Sequence, residues 1–225
     1  MRTKRVDEGI APTETVVVAH GLWMPSWVTA VLRGRLEAAG FATAAFSYAS
    51  VTAGLEENAV RLAAFAAALP RSRLHFVGHS LGGVVAATML GRPGLGRERL
   101  DVGRLVCLGS PLVASHCASV LLAHRPTRRV AGHCLADLVA AGGLRHWQGP
   151  FEIGIIAGDI GLGFGRLLGG LPPPHDGTVA VAETRLPGAT AHRVLHETHT
   201  SLLWSAEVAA ETVRFLRTGR FSSAS

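Results

Sequence analysis

Short apolar runs alternate with longer amphipathic ones along this chain. Thr15 to Ala19, Phe41 to Phe46, Leu74 to Val77, Arg104 to Leu108, Phe151 to Ala157 and Ala191 to His196 read as strands. The first is β-branched and free of charge, the pattern of a strand buried on both faces in a parallel sheet covered by helices. Between the strands, Ser26 to Ala39, Leu55 to Leu69, Val84 to Leu90 and Ser201 to Leu216 read as helices. Ser26 is the expected N-cap of the first, and Gly40, Pro70 and Gly219 are expected stops. Leu112 to Pro150 carries helical patches interrupted by Pro126, Gly132 and Gly142-Gly143. Gly158 to Pro174 is rich in glycine and proline and reads as a long loop or a lid-like segment. Thr178 to Ala182 is short and fits either element. Residues 1–14 read as a polar lead-in and 15–221 as a single domain. Strands alternating with helices imply βαβ units, hence an α/β fold with a mainly parallel central sheet and helices on both faces.

Composition narrows the function classes. Of 225 residues, 48% are hydrophobic and 17% charged, enough apolar material for a large core. The net charge is +6, carried almost entirely by arginine, since Lys4 is the only lysine. The arginines are scattered singly, apart from short pairs such as Arg128-Arg129, and no basic run with interleaved aromatics suggests a single-strand nucleic-acid groove, so no nucleic-acid partner is expected. The charge fits a solvated basic surface, compatible with anionic substrates or bilayers. Three cysteines at irregular spacing offer neither a disulfide framework nor a zinc pattern, and Cys107 reads as a small buried hydrophobe. The N-terminal stretch lacks the apolar core of a secretory signal, no run reaches the roughly 20 apolar residues of a membrane span, and a cytoplasmic location is expected.

The chemistry is signalled by Gly78-His79-Ser80-Leu81-Gly82-Gly83, which fits Gly-x-Ser-x-Gly between an apolar strand and a helix. A serine on such a sharp turn projects its hydroxyl out of the sheet, toward a base on one side and a substrate carbonyl on the other. Gly78 and Gly82 are required because side chains flanking the turn would collide with neighbouring backbone. Ser80 is therefore the candidate nucleophile.

A serine hydroxyl needs a base within reach, and the base needs an acid to fix its tautomer. In folds with such an elbow the chain order is serine, acid, histidine. The acids available are Asp101, Asp137, Glu152, Asp159, Asp176 and Glu183. Asp176, in the turn His175-Asp176-Gly177, is favoured by loop position, with Asp159 after the fifth strand as the alternative. His175, His192, His196 and His199 are the late histidines. His199 lies between the last strand and the terminal helix, where a loop can hang it over the strand ends; His196 sits on the strand end and is the weaker candidate. The developing negative charge on the carbonyl oxygen needs preset N–H donors. Leu81, opening the helix after Ser80, and Leu22, in His20-Gly21-Leu22, are the candidates.

Taken together these segments resemble the α/β-hydrolase superfamily, and more narrowly small bacterial serine esterases and lipases. The residues that carry the resemblance are Val17 to Trp23, Gly78 to Gly83, Leu108 to Pro111, Asp176 to Val179 and His199 to Leu203. In such lipases an Asp-Gly-x-Val segment supplies the acid and a late His-x-x-Leu segment the base, which implies Asp176 and His199 here. The resemblance implies an esterase or lipase acting on a small-molecule or lipid ester, with no metal or organic cofactor. A thioesterase, amidase or acyltransferase on the same residues, or a non-catalytic binding protein on this fold, are the alternatives. The sequence sets no oligomeric state.

Overall fold

The computed structural model describes residues 14–163, 165 and 170–223. Apart from Glu14, the expected polar lead-in therefore lies outside the described residues, as do positions 164 and 166–169 of the expected lid-like segment. Among the described residues six strands form one parallel sheet: β1 (Glu14–Ala19), β2 (Ala42–Phe46), β3 (Arg73–His79), β4 (Val102–Leu108), β5 (Ile153–Gly158) and β6 (Ala191–Leu195). Their order is β2-β1-β3-β4-β5-β6. The helices are α1 (Ala30–Ala38), α2 (Leu55–Ala67), α3 (Leu81–Gly91), α4 (His116–Ala123), α5 (Arg125–Ala140), α6 (Val181–Thr184) and α7 (Ala206–Thr218).

The two-residue period of the strands divides their side chains between two cores. Val17, Ala19, Phe76, Leu105, Cys107, Ile153 and Ile155 join the apolar sides of α2, α3, α4 and α5. Val16, Val18, Val77, Val106, Leu108 and Ile156 join those of α1 and α7, where Phe215 is fully buried. Both faces of the sheet are thus covered, which is why its strands carry apolar runs rather than alternation.

Three helix boundaries differ from the sequence reading. The first helix opens as a 3-10 turn, Ser26–Thr29, and becomes α-helical only at Ala30. Ser26 does not cap it: its carbonyl accepts a 2.7 Å hydrogen bond from Thr29 Oγ1, and Val28 N bonds back three residues to Pro25 O. The terminal helix is also split, with a 3-10 turn at Ser201–Leu203 and α7 starting at Ala206 under a cap from the Ser205 side chain. The middle segment forms two helices. Pro126 sits in the first turn of α5, where a missing N–H costs nothing, so it starts a helix instead of breaking one.

The strand order sets where a site can form. From β1 the chain moves to β2 on one side and then crosses to β3 on the other, so connections diverge between β1 and β3. Parallel α/β sheets place ligand crevices at such a reversal, beyond the carboxyl ends of the strands. Ala19 pairs with Gly78 and His79 with Leu108 in the register, so the segments after β1, β3 and β4 emerge side by side at that edge.

Candidate active site

Ser80 follows β3 immediately and caps α3, with φ 52° and ψ −122°. A non-glycine residue there is strained by about 1–3 kcal/mol, and such strain persists only where the surroundings enforce it. The enforcement is visible. Ser80 N donates to Leu108 O at 2.8 Å, and Gly83 N donates to Ser80 O at 3.1 Å. A Cβ added at Gly78 would lie 2.3 Å from the Gly83 backbone, and one at Gly82 would lie 2.4 Å from His20 O. The two glycines are thus needed for close approach of α3 to its own strand and to the end of β1.

His199, in the loop after β6, and Asp176 are both buried. Their side chains meet through His199 Nδ1 and Asp176 Oδ2 at 2.7 Å. A carboxylate only accepts, so Nδ1 carries the hydrogen, and in the neutral ring Nε2 keeps a free lone pair. Asp176 is itself fixed: Oδ1 accepts from Thr178 N at 2.9 Å and Val179 N at 2.7 Å, and its carbonyl accepts from His199 N at 2.8 Å. Gly109, with φ 54°, lies beneath this pair. A Cβ there would stand 3.0 Å from Asp176 Oδ2 and 3.1 Å from His199 Nδ1, so the contact needs a residue without one. The run Gly109-Ser110-Pro111 after the fourth strand is the sequence signal for this position.

Ser80, His199, Leu22 and Leu81 line one cavity of about 410 Å³, together with apolar groups that include Met24, Leu121, Leu135, Leu162 and Val179. The hydrogen bonds among the described residues include the Asp176–His199 contact but none between Ser80 and His199. Catalytic contacts of this kind are often open in unliganded proteins and tighten when substrate binds. Leu81 begins α3, so its N–H has no partner within the helix and sits at the positive end of the helix dipole. The loop after β1 reaches the serine closely: a Cβ at Gly21 would be 3.2 Å from Ser80 Cβ.

The other sequence candidates are engaged elsewhere. Asp159 and His196 pair with each other at 2.9 Å, with the His196 side chain 85% exposed. Asp137 Oδ2 accepts from Leu55 N at 2.9 Å and so caps α2. Glu183 accepts from His116 N and, at 2.9 Å, from Ala180 N, holding the starts of α4 and α6. Glu152 pairs with Arg104 at 2.6 Å on the surface, and Asp101 is exposed. His175 Nδ1 accepts from Gly177 N at 3.1 Å, and His192 Nε2 meets Thr184 Oγ1 at 2.8 Å.

Two cavity residues carried no assignment in the sequence reading. Cys117 Sγ donates to Thr178 O at 2.9 Å, and burial pushes its thiol up to about 11, so it stays a neutral wall group. His79 is fully buried, its ring centroid 4.7 Å from that of His199. Its Nε2 donates to His199 O at 2.8 Å, while Nδ1 has no partner among the described residues. Burial, and next the neighbouring His199, hold its pKa down to about 3. Nothing in the sequence beyond a place between the motif glycine and Ser80 marked it.

The low pKa of His79 has a stability consequence. In the unfolded chain the ring titrates near 6.5, so below that pH the unfolded state binds a proton that the folded state refuses. His79 therefore supports folding fully above pH 6.5, and that support drains away toward pH 3, at up to about 1.4 kcal/mol per pH unit. Denaturant melts at several pH values check this. The stability gained between pH 4.5 and 6.5 should shrink in His79→Gln, whose side-chain amide keeps a donor for His199 O. An unchanged pH slope would contradict it.

No family model matches the chain, and no curated protein matches it in sequence. Solved structures do match in shape. The mature form of the Bacillus licheniformis lipase BlEst2 superposes with a TM-score of 0.73 at 18% identity, over 95% of this chain and 96% of that one. The metagenomic carboxyl esterase MGS0156 gives 0.61 at 20% identity, over 84% of this chain and 65% of that one. A polyneuridine aldehyde esterase variant gives 0.58 at 12% identity, over 90% and 97%. This chain has the α/β-hydrolase fold. Among the described residues no helix is long and apolar enough to cross a membrane.

Proposed function

We propose that this chain is a serine hydrolase that cleaves carboxylic esters through an acyl-enzyme. Ser80 Oγ attacks the ester carbonyl, and His199 Nε2 takes its proton. Asp176 keeps the Nδ1 hydrogen of His199 in place and stabilises the imidazolium that forms. The backbone N–H groups of Leu22 and Leu81 receive the oxyanion. His199 then returns the proton to the leaving alcohol, and a water activated by the same nitrogen frees the acid and restores Ser80.

The observation that carries this reading is the buried Asp176–His199 hydrogen bond at 2.7 Å, in a ring that shares a cavity with a strained elbow serine. The apolar wall around that serine favours an acyl group over a charged substituent next to the scissile carbonyl. Esterases and lipases among the structural neighbours support the same substrate class.

A fluorophosphonate probe tests the reading directly, because it phosphonylates only a serine that a base has activated. Peptide mapping should find the adduct on Ser80, with hydrolysis of p-nitrophenyl esters lost in step with labelling. Folded protein that remains unlabelled, or is labelled elsewhere, would refute it.

A further inference from the structure

A second concavity, an open groove of about 990 Å³, lies away from the serine. Arg125, Arg128 and Arg129 of α5 line it, with Val51, Thr52, Leu122, Gly132 and His133 among its other residues. The spacing of the three arginines, 125, 128 and 129, puts them on one side of a helical turn, and all three are exposed. Five arginines elsewhere, Arg61, Arg92, Arg97, Arg104 and Arg193, each face a glutamate. Among the described residues no carboxylate pairs with Arg125, Arg128 or Arg129. Three neighbouring cations repel one another, and an external anion that meets them relieves that repulsion.

The groove and the catalytic cavity share a wall. Leu121 of α4 faces the cavity and Leu122 the groove; Leu135 of α5 faces the cavity and Ala136 the groove. A tie crosses from one to the other, since Trp23, on the loop that carries Leu22, donates from Nε1 to Val130 O at 2.8 Å, next to Arg129. Large apolar groups are exposed along this side. Trp23 is 49% exposed, Val130 52% and Leu162 58%, and Trp23 and Leu162 also line the cavity. Exposed apolar side chains beside unpaired cations match the two attractions that hold a peripheral protein on an anionic bilayer, apolar insertion and headgroup pairing. A polyanion such as nucleic acid would use the cations but not the apolar groups.

We infer that this face, Arg125, Arg128 and Arg129 with Trp23, Val130 and Leu162, docks on an anionic phospholipid surface and brings the cavity to the bilayer. The inference does not depend on the hydrolytic reading, because binding is measured without turnover.

Co-sedimentation with vesicles tests it, using phosphatidylcholine alone and phosphatidylcholine with about a quarter phosphatidylglycerol. Wild-type protein should bind the anionic vesicles and not the neutral ones, and bind less as salt is raised. The variant R125Q/R128Q/R129Q should lose about 100-fold in partitioning, from roughly fivefold per cation. A control, R71Q/R73Q/R99Q, removes the same charge from exposed arginines near the amino ends of β3 and β4, the far edge of the sheet. It should bind nearly as wild type. Equal binding to both vesicle types, equal losses in the two variants, or retention of duplex DNA but not vesicles by the α5 arginines would overturn the inference. Both variants keep Ser80, His199 and Asp176, so turnover of a soluble short-chain ester and thermal melts report separately on the site and on folding.

Discussion

Ser80→Ala is expected to lower ester turnover by about 10⁵- to 10⁶-fold while leaving the fold intact. Under the proposed mechanism the hydroxyl is the only group that bonds to the acyl carbon, and alanine leaves His199 with no proton to take. What survives is the weaker help of the Leu22 and Leu81 N–H groups and of binding itself, which in other triads leaves a rate well above that of water. Alanine has the Cβ that the elbow already accommodates, so the strained φ of 52° is retained and stability should change by about 1 kcal/mol or less. The measurement is kcat/KM on a p-nitrophenyl ester with purified protein, beside a thermal melt. Turnover within about tenfold of wild type would end the assignment of Ser80 as nucleophile.

Asp176→Asn is expected to cost about 10⁴-fold in kcat with KM nearly unchanged. The geometry gives the reason. Oδ1 already accepts two backbone hydrogens, from Thr178 and Val179, so an asparagine must keep its oxygen on that side. Its NH₂ group then faces His199 Nδ1, where Asp176 Oδ2 now accepts at 2.7 Å. To accept from the amide, the ring must move its hydrogen from Nδ1 to Nε2, and Nε2 can no longer take the proton of Ser80. Partial recovery at high pH, where the serine no longer depends on the histidine as base, would agree with a tautomer defect. A loss below about tenfold would show that Asp176 does not orient the base. Since Asp159 pairs with the exposed His196 instead, Asp159→Asn should not reproduce the effect.

The strands were the most legible part of the chain, because central strands buried on both faces carry near-continuous apolar runs. Each of the six predicted segments contains or overlaps an observed strand, including the edge strand β6, which carries His192 and Arg193 and is only partly buried. Helix ends were less legible. Whether Ser26 or Ser205 caps a helix depends on which neighbouring backbone turns first, and Pro25 with Thr29 settles the first case through contacts that apolar periodicity does not encode. The span Leu112 to Pro150 looked broken because Pro126 and Gly132 interrupt it. The proline opens α5, whereas Gly132, at φ 79° and ψ 177°, does interrupt the helical path, packed against Val51. Ser80 was singled out by the Gly-x-Ser-x-Gly turn, and Asp176 and His199 by chain order, loop position and the resemblance of their segments to those of small esterases and lipases. His79 and Cys117 were not, since burial beside a site leaves no mark in local composition.

Local sequence settled the elements: apolar runs set the strands, glycines at 78 and 82 permit the turn at Ser80, and alternation of strand and helix implies a parallel sheet. Only the tertiary structure decided which of several acids meets which histidine, because Asp159 and Asp176, like His196 and His199, are alike in residue type and differ in the loop that carries them. It also decided that three arginines on one turn of α5 have no carboxylate partner among the described residues, beside the cavity wall. A side chain's identity is written where it stands in the chain, but its neighbours are set by how a parallel sheet gathers the ends of distant strands at one edge.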